Sequence, residues 1–399
     1  MFLSEKAKGI SPSPTLAVDA KAKQMKSEGY DVIGFGAGEP DFDTPDFIKN
    51  SAIKAINEGF TKYTPVGGIP ELKKAIVNTL NEELGLTYKP NEIIVSNGAK
   101  QCLYNALYCL INPGDEVLIP HPYWVSYPEL VKLCGGTPVF VPTYEEDDFK
   151  MKKEVIEPLI TSKTKVIIVN SPNNPTGSVY SKEELEGIAE LANKYNLFII
   201  SDEIYDKLIY DGEQHVSIAT LGKEIFEKTL IVNGVSKAYS MTGWRIGYAA
   251  GPEELVKAMT DFQSHTTSNP NSIAQRAALE ALSNPDRKKA IASMVEEFSK
   301  RRDYMVERIN SIAGLSCRKP KGAFYVMMNI TKTFGKKIKG VEIKNSTDFA
   351  QSLLENYMVA VVPGVAFGTE NYVRLSYATS LTNIEKGLDR IEKFIKDLV

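Results

Sequence analysis

An α/β sandwich around a mainly parallel sheet, followed by a smaller α+β unit, is the architecture encoded in these 399 residues. Three observations point there. Between about residues 90 and 250, short β-branched runs alternate with longer amphipathic ones, the rhythm of strands joined by crossover helices. Most of the short runs are apolar at every position, as strands covered on both faces must be. After about residue 285 the texture changes to one long amphipathic stretch and then sparser strands and helices.

Seven runs read as strands of the sheet: 92–96, 116–119, 138–141, 165–169, 197–200, 230–232 and 246–249. The helical run 182–195 opens with Ser181 and has Glu184 three residues later, a capping box. Past residue 285, Met294, Phe298, Met305, Ile309 and Ile312 share one side of a long helix, which leads into a strand at 323–327. A helix over 348–357 and strands at 358–362 and 372–376 follow. The closing helix carries Ile384, Leu388, Ile391 and Ile395 on one face. So long a chain exceeds one simple core, and two or three domains are expected.

With 47 basic and 50 acidic residues the net charge is -3, which gives no reason to expect nucleic acid or an anionic membrane as partner. Cys102, Cys109, Cys134 and Cys317 show no C-x-x-C, and there are three histidines in all, so a zinc site is not expected. The cysteines read as reduced, buried thiols of a cytosolic protein. The opening Met-Phe-Leu-Ser-Glu-Lys lacks the layout of a signal peptide, and no apolar run approaches the roughly 20 residues of a membrane span. A cytoplasmic location is therefore expected.

In an open α/β sheet, ligands bind outside the carboxyl ends of the strands. Unusual polar residues fall at those ends here: 97–100, 170–174, Asp202, and Ser236 with Lys237. A lysine at the mouth of an apolar strand is poorly solvated, so its amine is more readily deprotonated and can attack a carbonyl. Eight residues on, Arg245 offers a fork for a phosphate. A Schiff-base lysine beside a phosphate anchor is what pyridoxal phosphate requires. Asp202 follows an apolar run, where a carboxylate needs a cation, although an N-capping role suits the same residue. The small residues before Lys100 let backbone N–H groups approach an anion at a helix start. Trp124 stands at a strand end, where stacking on a ligand and core packing look alike in sequence. Arg374 sits in a strand among apolar neighbours and needs an anion, for which an α-carboxylate is the right shape. Gly34 to Gly38 lacks the G-x-G-x-x-G spacing of a dinucleotide fingerprint.

The run Ser236-Lys-x-x-x-Met-Thr-Gly-Trp-Arg-x-Gly-Tyr248, together with Asn174-Pro-Thr-Gly177, resembles the cofactor signature of fold-type I, class I/II aminotransferases. The resemblance is nearest to the aspartate aminotransferase subgroup of many bacteria and runs from Ser11 to the C-terminus. It implies a fold-type I pyridoxal-phosphate (PLP) transferase with a large domain over 47–285 around a seven-stranded sheet. A small domain would be made of 1–46 and 286–399. It implies that Lys237 carries PLP, that Asp202 meets the pyridinium N–H, and that Tyr205 and Asn174 reach the ring oxygen. Trp124 would stack on the ring. Ala99, Lys100, Ser236 and Arg245 would hold the phosphate, joined by Tyr63 from a neighbouring subunit, so that a homodimer shares its sites. Gly38 and Arg374 would meet the substrate's α-carboxylate. One subgroup uses an arginine for the distal carboxylate where this chain has Ser264; here Lys100, with Thr15 nearby, resembles the alternative found in the bacterial subgroup. The implied activity is ping-pong transfer of the amino group of L-aspartate to 2-oxoglutarate. The alternatives are a prephenate, aromatic or kynurenine aminotransferase, or a Cβ–S lyase. A cofactor-sensing transcription regulator would need a helix-turn-helix pattern, which the sequence lacks.

Overall fold

The computed structural model describes residues 2–10 and 14–399; Ser11 lies outside the described residues. Its centre is a seven-stranded sheet, numbered here in chain order: β1 (Ile93–Ser96), β2 (Glu116–His121), β3 (Thr137–Pro142), β4 (Thr164–Asn170), β5 (Phe198–Asp202), β6 (Thr229–Gly234) and β7 (Gly247–Ala250). The spatial order is β1-β7-β6-β5-β4-β2-β3. Only β7 runs against its neighbours; the other pairings are parallel.

Alternate residues of each central strand feed cores on opposite faces of the sheet. Ile93 and Val95 pack with helices Asp46–Asn57, Pro70–Leu84 and Ser272–Ser283. Ile94 points the other way, toward helices Ala99–Leu110, Ser126–Leu133 and Glu253–Thr266. In β5, Ile199 packs under helix Lys182–Tyr195 while Ile200 joins the opposite core. This double coverage is why the strands read as continuous apolar runs. The capping box forms as expected: the Glu184 N–H donates to Ser181 Oγ at 3.3 Å, and the Ser181 N–H donates to the Glu184 carboxylate at 2.7 Å.

A second sheet combines β8 (Ser316–Cys317), β9 (Tyr325–Asn329), β10 (Val362–Pro363) and β11 (Tyr372–Ser376) in the order β10-β11-β9-β8, all antiparallel. Its core holds Phe298 and Met305 from helix Arg287–Ser311, and Leu388 and Phe394 from helix Leu381–Lys396. Ile33 and Phe35 from the front of the chain enter the same core, and so do Tyr205 and Leu208 from the segment after β5.

Several expectations shift. The strand expected at 323–327 begins at Tyr325, because Ala323 adopts a left-handed backbone (φ 57°) that ends extended pairing. The stretch 358–362 is not one strand. Met358 is the left-handed cap of helix Ser346–Tyr357; Val359–Ala360 then pairs with Ile33–Gly34, and Val362–Pro363 turns to β11. Ile312 lies one residue past its helix and caps it. Cys102 and Cys317 are buried, but Cys109 and Cys134 are only part-buried, standing in the last turn of one helix and at the cap of another. Among the described residues no helix is long and apolar enough to cross a membrane.

Candidate active site

The carboxyl ends of β1, β4, β5 and β6 open into a cavity of about 580 Å³. Register brings Asn170, at the end of β4, beside Asp202, at the end of β5. Every residue the resemblance assigns to cofactor or substrate lines this cavity except Tyr63, which stands 90% exposed.

Lys237 lies in the turn after β6, and its Nζ donates to the Gly38 carbonyl. The Tyr205 and Phe324 rings each lie 5.8 Å from Nζ by centroid. Burial pulls the amine's pKa down to about 8; the Glu39 carboxylate opposes that shift, and Arg245 and Arg374 reinforce it. Asp202 is 3% exposed. Tyr127 Oη donates to one of its carboxylate oxygens at 2.7 Å, and the Ile204 N–H donates to the other at 3.3 Å. Burial raises the acid's pKa to about 6, the Tyr127 hydrogen bond holding it back. No helix opens at Asp202, which rules out the N-cap alternative: the carboxylate ends a strand and faces the cavity. The Tyr205 hydroxyl is 2.9 Å from that of Tyr325.

A cradle for an anion lies beside them. Helix Ala99–Leu110 starts after Gly98, and its first N–H groups have no intrahelical acceptor. Gly98 holds φ 85°, and a Cβ there would come within 2.3 Å of Arg245 Nη2. A Cβ on Gly247 would sit 2.2 Å from the Ala99 nitrogen. Gly98 thus clears room for the arginine, and Gly247 lets the backbone of the helix start pass close to β7. Arg245 donates to the carbonyls of Thr242 at 2.8 Å and Asn97 at 3.4 Å; among the described residues no carboxylate pairs with it. Ser236 lines the same end.

At the other end Arg374, 2% exposed, comes from β11. It donates to Asn174 Oδ1 and to the Gly36 carbonyl, each at 3.0 Å, while its buried Nε has no partner among the described residues. Its guanidinium lies 4.2 Å from the Tyr325 ring centroid, and burial lowers its pKa. Asn174 precedes a cis proline, Pro175. The Lys100 ammonium sits 4.9 Å from the Trp124 ring centroid, and burial, then Arg245, depresses its pKa. Trp124 thus lines the cavity while also packing against the core beneath it. Thr15 reaches the mouth from helix Pro14–Ser27, as does Lys23. Ser264 lies in helix Glu253–Thr266, outside the lining.

Tyr127, Tyr325, Glu39 and Lys23 belong to the site and were not singled out from sequence. Only the need of a buried Asp202 for a donor hinted at Tyr127, which otherwise looks like an ordinary apolar-face residue of helix Ser126–Leu133.

The family model described as "Aminotransferase class I and II" matches residues 30–391. A protein of Geobacillus stearothermophilus named "Aspartate aminotransferase" is 49% identical over 396 residues, 99% of each chain. A Rickettsia conorii protein named "Probable aspartate/prephenate aminotransferase" is 51% identical, over 99% of this chain and 98% of that one. The crystal structure of the aspartate aminotransferase from Rhizobium meliloti superposes with a TM-score of 0.96 at 44% identity, covering all of both chains.

Proposed function

The chain belongs to the class I and II aminotransferase family, and we propose that it is an aspartate aminotransferase, moving the amino group of L-aspartate to 2-oxoglutarate with PLP held at Lys237. The observation that carries this reading is Arg374: a guanidinium almost wholly buried, without a carboxylate partner among the described residues, in one cavity with a lysine whose amine titrates near 8. A buried cation left without an anion is strongly unfavourable, so the anion is read as the substrate's α-carboxylate.

The residues present suit PLP. The glycine-cleared cradle of Ala99, Lys100, Ser236 and Arg245 would take its phosphate, Asp202 would meet its ring nitrogen, and Asn174 and Tyr205 would reach its ring oxygen. When bound, the cofactor supplies an aldehyde that condenses with amines and a ring that draws electrons from the substrate's Cα. The chain's own groups do the rest. Lys237 Nζ, easily neutral in its desolvated place, would take the proton from the substrate's Cα and pass it to the carbon of the cofactor's aldehyde. Tyr127 keeps the Asp202 carboxylate oriented toward the cavity. Arg374 fixes the α-carboxylate, and Gly38 lets the backbone come close. The Lys100 ammonium, with Thr15 at the mouth, faces the distal carboxylate. Tyr63, exposed on its own subunit, is read as completing the phosphate site of a second copy in a cytoplasmic homodimer.

The test is a panel: aspartate with 2-oxoglutarate against prephenate and aromatic 2-oxo acids. Aspartate turnover at least comparable to the aromatic reactions supports the reading; aromatic turnover without aspartate turnover overturns it. The name of the Rickettsia relative favours a second activity, prephenate as an additional acceptor, which the same panel measures.

A further inference from the structure

Beneath the phosphate cradle lies a buried amide that the reaction does not touch. Gln263, on helix Glu253–Thr266, is fully buried. Its Oε1 accepts from Ser96 Oγ at 2.5 Å and from Asn105 Nδ2 at 2.9 Å. Its Nε2 donates to the carbonyls of Val66 at 2.8 Å and Val95 at 2.9 Å. The carboxamide's two donors and two acceptor lone pairs are all used, and its orientation is fixed: turned over, its oxygen would face two carbonyls and its NH₂ the Asn105 donor.

Each partner leads to a part of the proposed phosphate site. Ser96 and Val95 end β1, two residues before Gly98 in the case of Ser96. Asn105 is fully buried in helix Ala99–Leu110, whose first N–H groups form the cradle, and it also accepts from Gln101 at 2.6 Å. Val66 belongs to the segment that bears Tyr63. A second buried amide, Gln275, pins the rest of that segment: its Oε1 accepts from the Ile69 N–H at 2.8 Å and its Nε2 donates to Thr64 Oγ1 at 3.0 Å.

We propose that Gln263 is a positioning residue for the cofactor phosphate, one side chain that sets both the subunit's own cradle and the Tyr63 arm offered to its neighbour. Buried polar groups left without partners are costly, so a change at this amide moves the strand end, the helix and the arm together. The inference rests on the PLP reading above. It deepens that reading by naming what aligns the anion site from behind.

The test titrates pyridoxal 5′-phosphate and pyridoxal, which lacks the phosphate, by absorbance into the cofactor-stripped full-length chain. Wild type is compared with Q263E and Q263M. In Q263E an oxygen replaces the donor that faces two carbonyls; in Q263M every hydrogen bond is lost at similar volume. The dissociation constant for the phosphate form should rise about tenfold in either variant, the scale of one buried hydrogen bond. That for pyridoxal should move by less than about threefold, since a phosphate-specific defect leaves ring and imine contacts alone. Equal weakening of both compounds, or of neither, would overturn the proposal. So would variants that no longer fold, because the amide would then be holding the core and not the site. A wild-type chain that binds neither compound would bring down the cofactor reading itself, and this inference with it.

Discussion

Asp202 and Lys237 are both displaced toward neutrality by burial, one carboxyl upward to about 6 and one amine downward to about 8. Each therefore weakens the cofactor-free fold in a definite pH window. The folded Asp202 holds its proton more tightly than the unfolded chain does, so its penalty is absent below the ordinary carboxyl pKa of 3.8 and complete above about 6. Stability of the cofactor-free protein should fall by roughly 3 kcal/mol through this group between those limits, at about 1.4 kcal/mol per pH unit. Asp202→Asn should flatten that slope, which urea midpoints from pH 4 to 7 would register. For Lys237 the folded pKa is depressed, so its penalty is present below about 8 and is relieved as pH rises toward 10.5. Lys237→Ala should accordingly unfold at a higher temperature than wild type at pH 7 when both lack cofactor, while its turnover is abolished. A lower midpoint together with normal turnover would contradict both statements. Of these two residues the sequence conveyed the lysine's desolvated place through its strand-mouth position. It left Asp202 open, because a capping carboxylate and a buried one share the same neighbours in one dimension.

At the level of elements, the regular sheet was legible wherever burial was uniform. Runs such as Ile93 to Val95 are apolar because helices cover both faces, and that pattern survives projection onto a string. The capping box was legible because its two partners are three residues apart. Ser181→Ala should cost about 1 kcal/mol, readable as a lower denaturant midpoint with unchanged slope. The split of 358–362 between two sheets was not legible, since it depends on partners more than 300 positions away for Ile33 and on a left-handed Met358. Tyr127 was hidden for the same reason: its acceptor is 75 residues distant. The glycines of the cradle act through space as well. Gly98→Ala should leave helix content intact by circular dichroism. It should also raise the dissociation constant for PLP by tenfold or more, because the added methyl meets Arg245 and the backbone is held at a positive φ that disfavours alanine.

For the whole molecule, the proposed homodimer would use the exposed Tyr63 and the pinned segment around it. Sedimentation should give twice the 44.1 kDa of the chain, and Tyr63→Ala should weaken PLP binding without altering the cavity of its own subunit. A monomer with full cofactor affinity would be inconsistent with that arrangement. The residues lining the cavity are spread along almost the entire sequence: Thr15 and Gly38 near its start, Arg374 on one of its last strands. During synthesis, amine, acid and anion cradle would all have left the ribosome while the Arg374 guanidinium was still unmade. A nascent chain of this protein would hold the residues proposed to take up a coenzyme before it held the arginine proposed to grip an amino acid.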